Sequence, residues 1–174
     1  DCRRVLDIEH TLAVTGVQSV SGQHRDLLSD VQTLSDALNI AAEKSGSLAA
    51  GACQLGAMLG TDDSDLLNQY GAWGKHFGTM NQLANDLHDA FQPDVKADVH
   101  AGKRTLPLEY VRRATGAADL SDLDGPAGQG AIEESGVVGF TWVVVEVERE
   151  KCRAILADLR ALGQTTDELE ALLG

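Results

Sequence analysis

Cysteine is scarce and badly placed for cross-linking. Cys2, Cys53 and Cys152 lie far apart, are odd in number and form no Cys-x-x-Cys pair. That excludes a disulfide framework and a zinc ribbon, and leaves three reduced thiols in a protein expected to be cytoplasmic. Basic charge is also short. Lys and Arg number 14 against 27 Asp and Glu, for a net charge of −13. Nucleic acid is therefore excluded as a main partner, because phosphate-backbone binding needs a basic footprint. A small phosphorylated substrate is not excluded, since a few placed cations and a metal suffice. No apolar run approaches the roughly 18 residues of a membrane span, so no transmembrane segment is expected. No secretory signal pattern is visible. Aromatics are few, at 4%.

What is present is a globular composition. Hydrophobic residues make up 43% of 174 residues, enough for one domain with a sizeable core. The chain opens on Asp1 directly into a helical pattern, without an initiator Met. It is expected to be a fragment, a processed chain or the ordered part of something longer.

The periodicity is helical throughout. Residues 3 to 20 carry Val5, Leu6, Ile8, Leu12, Val14, Val17 and Val20, which predicts a helix buried on much of its surface and continuing through Leu27. Residues 29 to 40 form a second helix capped by Ser29 or Asp30. An Ala- and Gly-rich run, 49 to 59, suits a helix packed deep in a bundle, with Lys44 at its start. A lysine there opposes the helix-dipole preference and hints at a received anion; the plainer alternative is a solvated side chain. Gly60 to Asp65 is a turn with an N-cap signature, and its acids read as first-turn dipole partners. Residues 66 to 90 form one long helix ended by Pro93, followed by a loop through Pro107, a helix from Leu108, a mobile loop at 115–130, a helix over 131–161 stopped by Gly163, and a short last helix capped by Thr166. The β-branched run Trp142 to Val147 is kept helical because no partner strand with turn signals flanks it.

The chemistry gathers on the long helix. Gln82, Asp86 and Asp89 stand at i, i+4 and i+7 and share one face, while Leu83 and Leu87 turn to an adjoining face. Two carboxylates and an amide on an inward stripe are costly unless a cation sits there. A divalent metal carrying a phosphate ligand would fill that role; a solvated acidic face is the alternative. Gln23 and Asp26 likewise share a face, as a polar patch bonding a neighbouring helix. Gly102-Lys103 in a loop entering a helix can offer a cation and a backbone N–H to phosphate, although it is too short for a Walker A sequence.

Four ordered motifs carry a resemblance. They are Gly22-Gln23-His24-Arg25-Asp26-Leu27, Lys44-Ser45-Gly46-Ser47-Leu48, Tyr70-Gly71-Ala72-Trp73-Gly74 leading into Asn81 to Asp89, and Asp98 to Pro107. In this order they resemble the trans-type isoprenyl diphosphate synthases, the polyprenyl synthetases. The resemblance covers essentially the whole chain and about the C-terminal half of the family's length.

The resemblance implies an all-α isoprenoid synthase helical bundle around a central cavity, with residues 1–174 as its C-terminal part. It implies Mg²⁺, allylic diphosphate and isopentenyl diphosphate as substrates, and a homodimer or a missing N-terminal half. On that basis Lys44 and Lys103 grip the allylic diphosphate. Ser45 lies near the cation through its carbonyl or hydroxyl. Gln82 and Gln23 are substrate-side residues. Asp86, Asp89 and Asn85 are the metal-binding set of the second aspartate-rich motif. Asp26 and Gln23 support the helix of the first.

Three departures stand out. Asn85 replaces a carboxylate, which predicts weaker Mg²⁺ binding. Asn81 replaces a Phe, which predicts a more polar cavity wall. The first aspartate-rich motif is absent, because Asp62-Asp63-Ser64-Asp65 has the wrong spacing and place. The Asn81 and Asn85 combination resembles a divergent branch that prenylates peptides, and the missing half suits a non-catalytic or regulatory subunit. Both stand beside diphosphate synthesis as expected functions.

Overall fold

The computed structural model describes residues 2–90, 103–118 and 126–174. Among them every regular element is helical. The helices are α1 (Cys2–Leu27), α2 (Leu34–Ala41), a π-helical turn (Ala42–Gly46), α3 (Ser47–Ala57), α4 (Ser64–Ala90), α5 (Leu106–Thr115), α6 (Pro126–Glu134), α7 (Val137–Ala161) and α8 (Asp167–Ala171). Trp142 to Val147 is helical, inside α7.

The helix starts follow local chemistry, with some changes from expectation. α2 begins at Thr33, not at Ser29 or Asp30. The Thr33 side chain accepts from the Asp36 N–H while the Asp36 carboxylate accepts from the Thr33 N–H, a reciprocal capping box. Ser29 instead takes a positive φ of 51° in the preceding turn. Asp63 starts α4, its Oδ1 accepting from the N–H groups of Asp65 (2.8 Å) and Leu66 (3.3 Å). Thr166 precedes α8 but makes no side-chain cap bond, and its hydroxyl is buried without a partner.

The expected single helix over 131–161 is two. Gly136, at φ 78°, turns the chain between α6 and α7. Gly163, at φ 79°, does stop α7. Its N–H reaches the Arg160 carbonyl at 2.9 Å and the Gln164 N–H reaches that of Leu159 at 3.0 Å, which is the Schellman arrangement. Of the expected mobile loop at 115–130, the end from Pro126 is helix, and 119–125 lie outside the described residues. Pro93 and the loop up to Gly102 lie outside them as well.

α4 is the centre. One side packs on α3 and the opposite side on α7. The α3 contact is close because glycines line it: a Cβ on Gly74 would sit 2.4 Å from the Ala49 carbonyl oxygen, and one on Gly78 would sit 2.7 Å from that of Ser45. The α7 contact is a large apolar interface, with Trp73, Met80 and Leu83 of α4 buried with Val145, Cys152 and Leu156 of α7. Leu83 is 0% exposed and Leu87 is buried, as their shared face requires. The three thiols are free, and burial pushes Cys152 up to about 12.

α1 departs most from expectation. Val17 is 71% exposed, Val20 70% and Leu6 63%, so the helix predicted to be buried on much of its surface buries only Gly22 fully. Its apolar pattern is real, but nothing in the described residues covers that face. α1 contributes instead a narrow polar and small-residue stripe laid against the π turn and α3.

Candidate functional site

Lys44 does not open a helix. α2, the π turn and α3 run on continuously, with Ala41, Ala42, Gly46 and Ser47 all right-handed helical. The helix that Lys44 was expected to open therefore has no N-terminus there, and the expectation that Lys44 and the start of its own helix jointly receive an anion is corrected. What marks the place is the π turn itself, an i→i+5 irregularity with the Ser47 N–H bonded to the Ala42 carbonyl.

The turn sends consecutive residues to different helices. Lys44 Nζ reaches Asp26 Oδ2 of α1 at 2.8 Å. The Ser45 hydroxyl donates to Gln82 Oε1 of α4. Gln82 Nε2 in turn donates to Asp86 Oδ1 at 2.7 Å, one turn further along α4. Lys103, from the segment entering α5, completes the wall. Asp26, Lys44, Gln82, Asp86, Asp89, Ala90, Lys103, Thr105 and Leu108 enclose a cavity of about 70 Å³. Further along the same helices lies an open groove of about 810 Å³, where Val14, Val17 and Ala50 mix with Gln18, Gln54 and Lys75.

Five sequence-derived site residues thus meet on one small cavity: Lys44, Gln82, Asp86, Asp89 and Lys103. Ser45 joins through Gln82, its carbonyl oxygen being packed against Gly78. Two do not reach the wall. Asn85 is exposed on α4, and Gln23 is half-buried outside the lining. Asn81 is also exposed, its amide donating back to the Phe77 carbonyl at 2.9 Å, and it does not line this small cavity. Asp26 carries more than the supporting part expected of it, since it forms the wall and pairs with Lys44. The signal was legible, as the GQxxD spacing sets it one turn beyond Gly22 on the stripe facing Lys44. Thr105, a wall residue, lies within the Asp98 to Pro107 motif but has no role assigned to it from the sequence.

Electrostatics single out Asp86. Burial pushes its carboxyl up to about 6; the Gln82 hydrogen bond and Lys44 oppose that, while Asp26 and Asp89 add to it. Three carboxylates share the cavity with Lys44 and Lys103. This donor set is all hard oxygen, which fits a magnesium ion held by one or two carboxylates and completed by substrate phosphates. No described group of three or more His, Cys, Asp or Glu side chains could hold a metal by itself. That is compatible with a shared protein–phosphate site and not with a closed protein cage.

Comparison with known proteins identifies the family. Residues 2–131 match the polyprenyl synthetase family model, and the chain belongs to that family. The chain is 26% identical to the geranylfarnesyl diphosphate synthase of Aeropyrum pernix over 93% of its own length and 56% of that protein's. It is 24% identical to the tryptophan prenyltransferase ComQ of Bacillus subtilis subsp. natto, over 88% of its length and 51% of that protein's. Its fold matches the geranylgeranyl pyrophosphate synthetase of the archaeon Geoglobus acetivorans with a TM-score of 0.75, at 19% identity, covering 90% of this chain and 52% of that one. The all-α isoprenoid synthase fold is thereby established. The chain spans about half the length of the relatives it matches. No described helix is long and apolar enough to cross a membrane.

Proposed function

We propose that this chain supplies the second-aspartate-motif half of a prenyltransferase site that ionises an allylic diphosphate and joins the resulting cation to isopentenyl diphosphate. The observation that carries the reading is the convergence of Lys44, Gln82, Asp86, Asp89 and Lys103 on one cavity. Lys44 and Lys103 hold the diphosphate as point charges, and their attraction grows as negative charge builds on the departing oxygen. The allylic C–O bond breaks, the diphosphate leaves with the electron pair, the alkene of the second substrate attacks, and a proton is lost. Asp86 and Asp89 are the residues that would hold Mg²⁺, which when bound supplies further charge stabilisation to the leaving group. Gln82, fixed between Ser45 and Asp86, orients that carboxylate.

A second acceptor class has a specific support. One relative is named as a tryptophan prenyltransferase, and Asn81 and Asn85 replace the residues usual in diphosphate synthases. On that reading the same ionisation delivers the prenyl group to a peptide side chain. The non-catalytic reading is disfavoured by the retention of Lys44, Gln82, Asp86, Asp89 and Lys103, because a purely structural subunit has no need of that set.

The test is turnover of the protein together with whatever longer chain or partner supplies a first aspartate-rich motif, identified by native intact mass. Labelled allylic diphosphates are offered with Mg²⁺ and either isopentenyl diphosphate or a tryptophan-containing peptide. Lys44→Ala and Lys103→Ala are each expected to cut turnover about 100-fold or more. Undiminished turnover in both variants would sink the reading.

A further inference from the structure

The irregular turn that presents Lys44 and Ser45 is held in place from α1. Four residues of that helix, at successive turns of one stripe, all touch it. The Ser19 hydroxyl donates to the Lys44 carbonyl at 2.9 Å. Gly22 lies so close that a Cβ on it would sit 2.5 Å from the Lys44 nitrogen and 2.8 Å from the Glu43 carbonyl carbon. Arg25 Nη1 donates to both carboxylate oxygens of Glu43, each at 2.9 Å, and its Nε reaches Asp30 at 3.5 Å. Asp26 takes Lys44 Nζ at 2.8 Å. α1 is held here by small and polar groups, since its large apolar side chains are mostly exposed; a further close approach is Thr15 on Gly51 of α3.

A π turn is an energetically poor stretch of helix and persists only where its surroundings over-determine it. We propose that Ser19 and Arg25 are positioning residues for the site, acting through the π turn: Ser19 bonds its main chain and Arg25 its Glu43 side chain, and together they keep Lys44 and Ser45 aimed at α1 and α4 respectively. Neither lines the cavity, so their effect on a bound diphosphate is indirect. Gly22 is the clearance that makes the contact possible, and any side chain there forces α1 away from the turn. The proposal rests on the diphosphate reading of the cavity given above.

The experiment measures binding of inorganic diphosphate with Mg²⁺ to the purified protein by calorimetry. It uses wild type, Lys44→Ala, Ser19→Ala, Ser19→Thr and Arg25→Gln, with thermal unfolding confirming that each variant is folded at the assay temperature. Hydrogen exchange of the amides over residues 42–47 is followed in the same samples. The expected result is loss of binding in Lys44→Ala. Binding about fivefold weaker is expected in Ser19→Ala and Arg25→Gln, the scale of one lost hydrogen bond, with faster exchange across the turn. Ser19→Thr, which keeps the hydroxyl, should return both readouts toward wild type. If Lys44→Ala abolishes binding while Ser19→Ala and Arg25→Gln bind and exchange like wild type, the positioning role is overturned and the site reading stands. If Lys44→Ala binds like wild type, the site reading falls and takes this inference with it.

Discussion

Two kinds of carboxylate with little access to water occupy this small bundle, and their charges are handled in opposite ways. Glu109 on α5 and Glu148 on α7 are fully or almost fully buried. Burial opposes the charge of Glu109, but Arg112 at 2.7 and 2.9 Å and Arg113 at 2.7 Å overcome it, and its pKa lies below the usual value. Burial likewise opposes the charge of Glu148, and His76 and Lys151, each at 2.6 Å, overcome it. Asp86 meets the same desolvation opposed by the amide of Gln82 and by Lys44, which is itself paired to Asp26, and here burial wins and the pKa rises. A carboxylate supplied with its own cations is structural. One whose burial outweighs its nearby partners, beside two other carboxylates in a cavity, has the raised pKa expected where a further cation would be accommodated.

The largest break in this contrast comes from removing a satisfied carboxylate. Glu109→Ala is expected to cost about 3 kcal/mol in chemical unfolding, since it strands two guanidinium groups and loosens Arg113 from the Gln32 carbonyl on the α1–α2 loop. Glu148→Ala follows at about 2 kcal/mol, because His76 and Lys151 can both turn to water. Both groups have lowered pKa values, so the stability they contribute is present above the unfolded value near 4.5 and is lost as pH falls below it. Acid unfolding curves of the two variants should therefore be flatter than wild type in that range.

Asp86 should show the opposite sign. Its folded-state pKa is raised from 3.8 to about 6, so the native state binds the extra proton and its contribution weakens as pH climbs through that window. Asp86→Asn is expected to stabilise the metal-free protein at pH 7 by on the order of 1 to 2 kcal/mol, while weakening Mg²⁺–diphosphate binding. Destabilisation at pH 7 without metal would show that Asp86 belongs with Glu109 and Glu148. The smallest expected effect is at Asn85. It is exposed and outside the cavity wall, so Asn85→Asp should tighten Mg²⁺ binding by only about twofold to fivefold, through charge at a distance. Unchanged metal dependence would remove Asn85 from any metal role.

Much of this was readable before the fold was known. The i, i+4, i+7 stripe of α4 placed Gln82, Asp86 and Asp89 together because an α-helix repeats every 3.6 residues, and Leu83 and Leu87 followed onto the buried face. The family motifs brought in Lys44 and Lys103, whose distance along the chain hides their proximity. Periodicity failed on α1, where the apolar positions were right but their burial was not. A pattern records that a face is meant to be covered and not what covers it. It also failed at Lys44, where no local signal separates a helix start from a π turn within a continuous helix.

The amino-acid order alone determined the all-helical character, ends such as those at Asp63 and Gly163, and the residue types that do chemistry, because capping, glycine stops and helical repeat act over a few neighbours. Only the tertiary structure decided that Asp26 holds Lys44, that Gln82 bridges Ser45 to Asp86, and that the π turn is gripped by Ser19 and Arg25. Apart from the one-turn bond from Gln82 to Asp86, those contacts join residues 18 to 37 positions apart. They exist because Gly22, Gly74 and Gly78 let three helix backbones approach more closely than any side chain would allow.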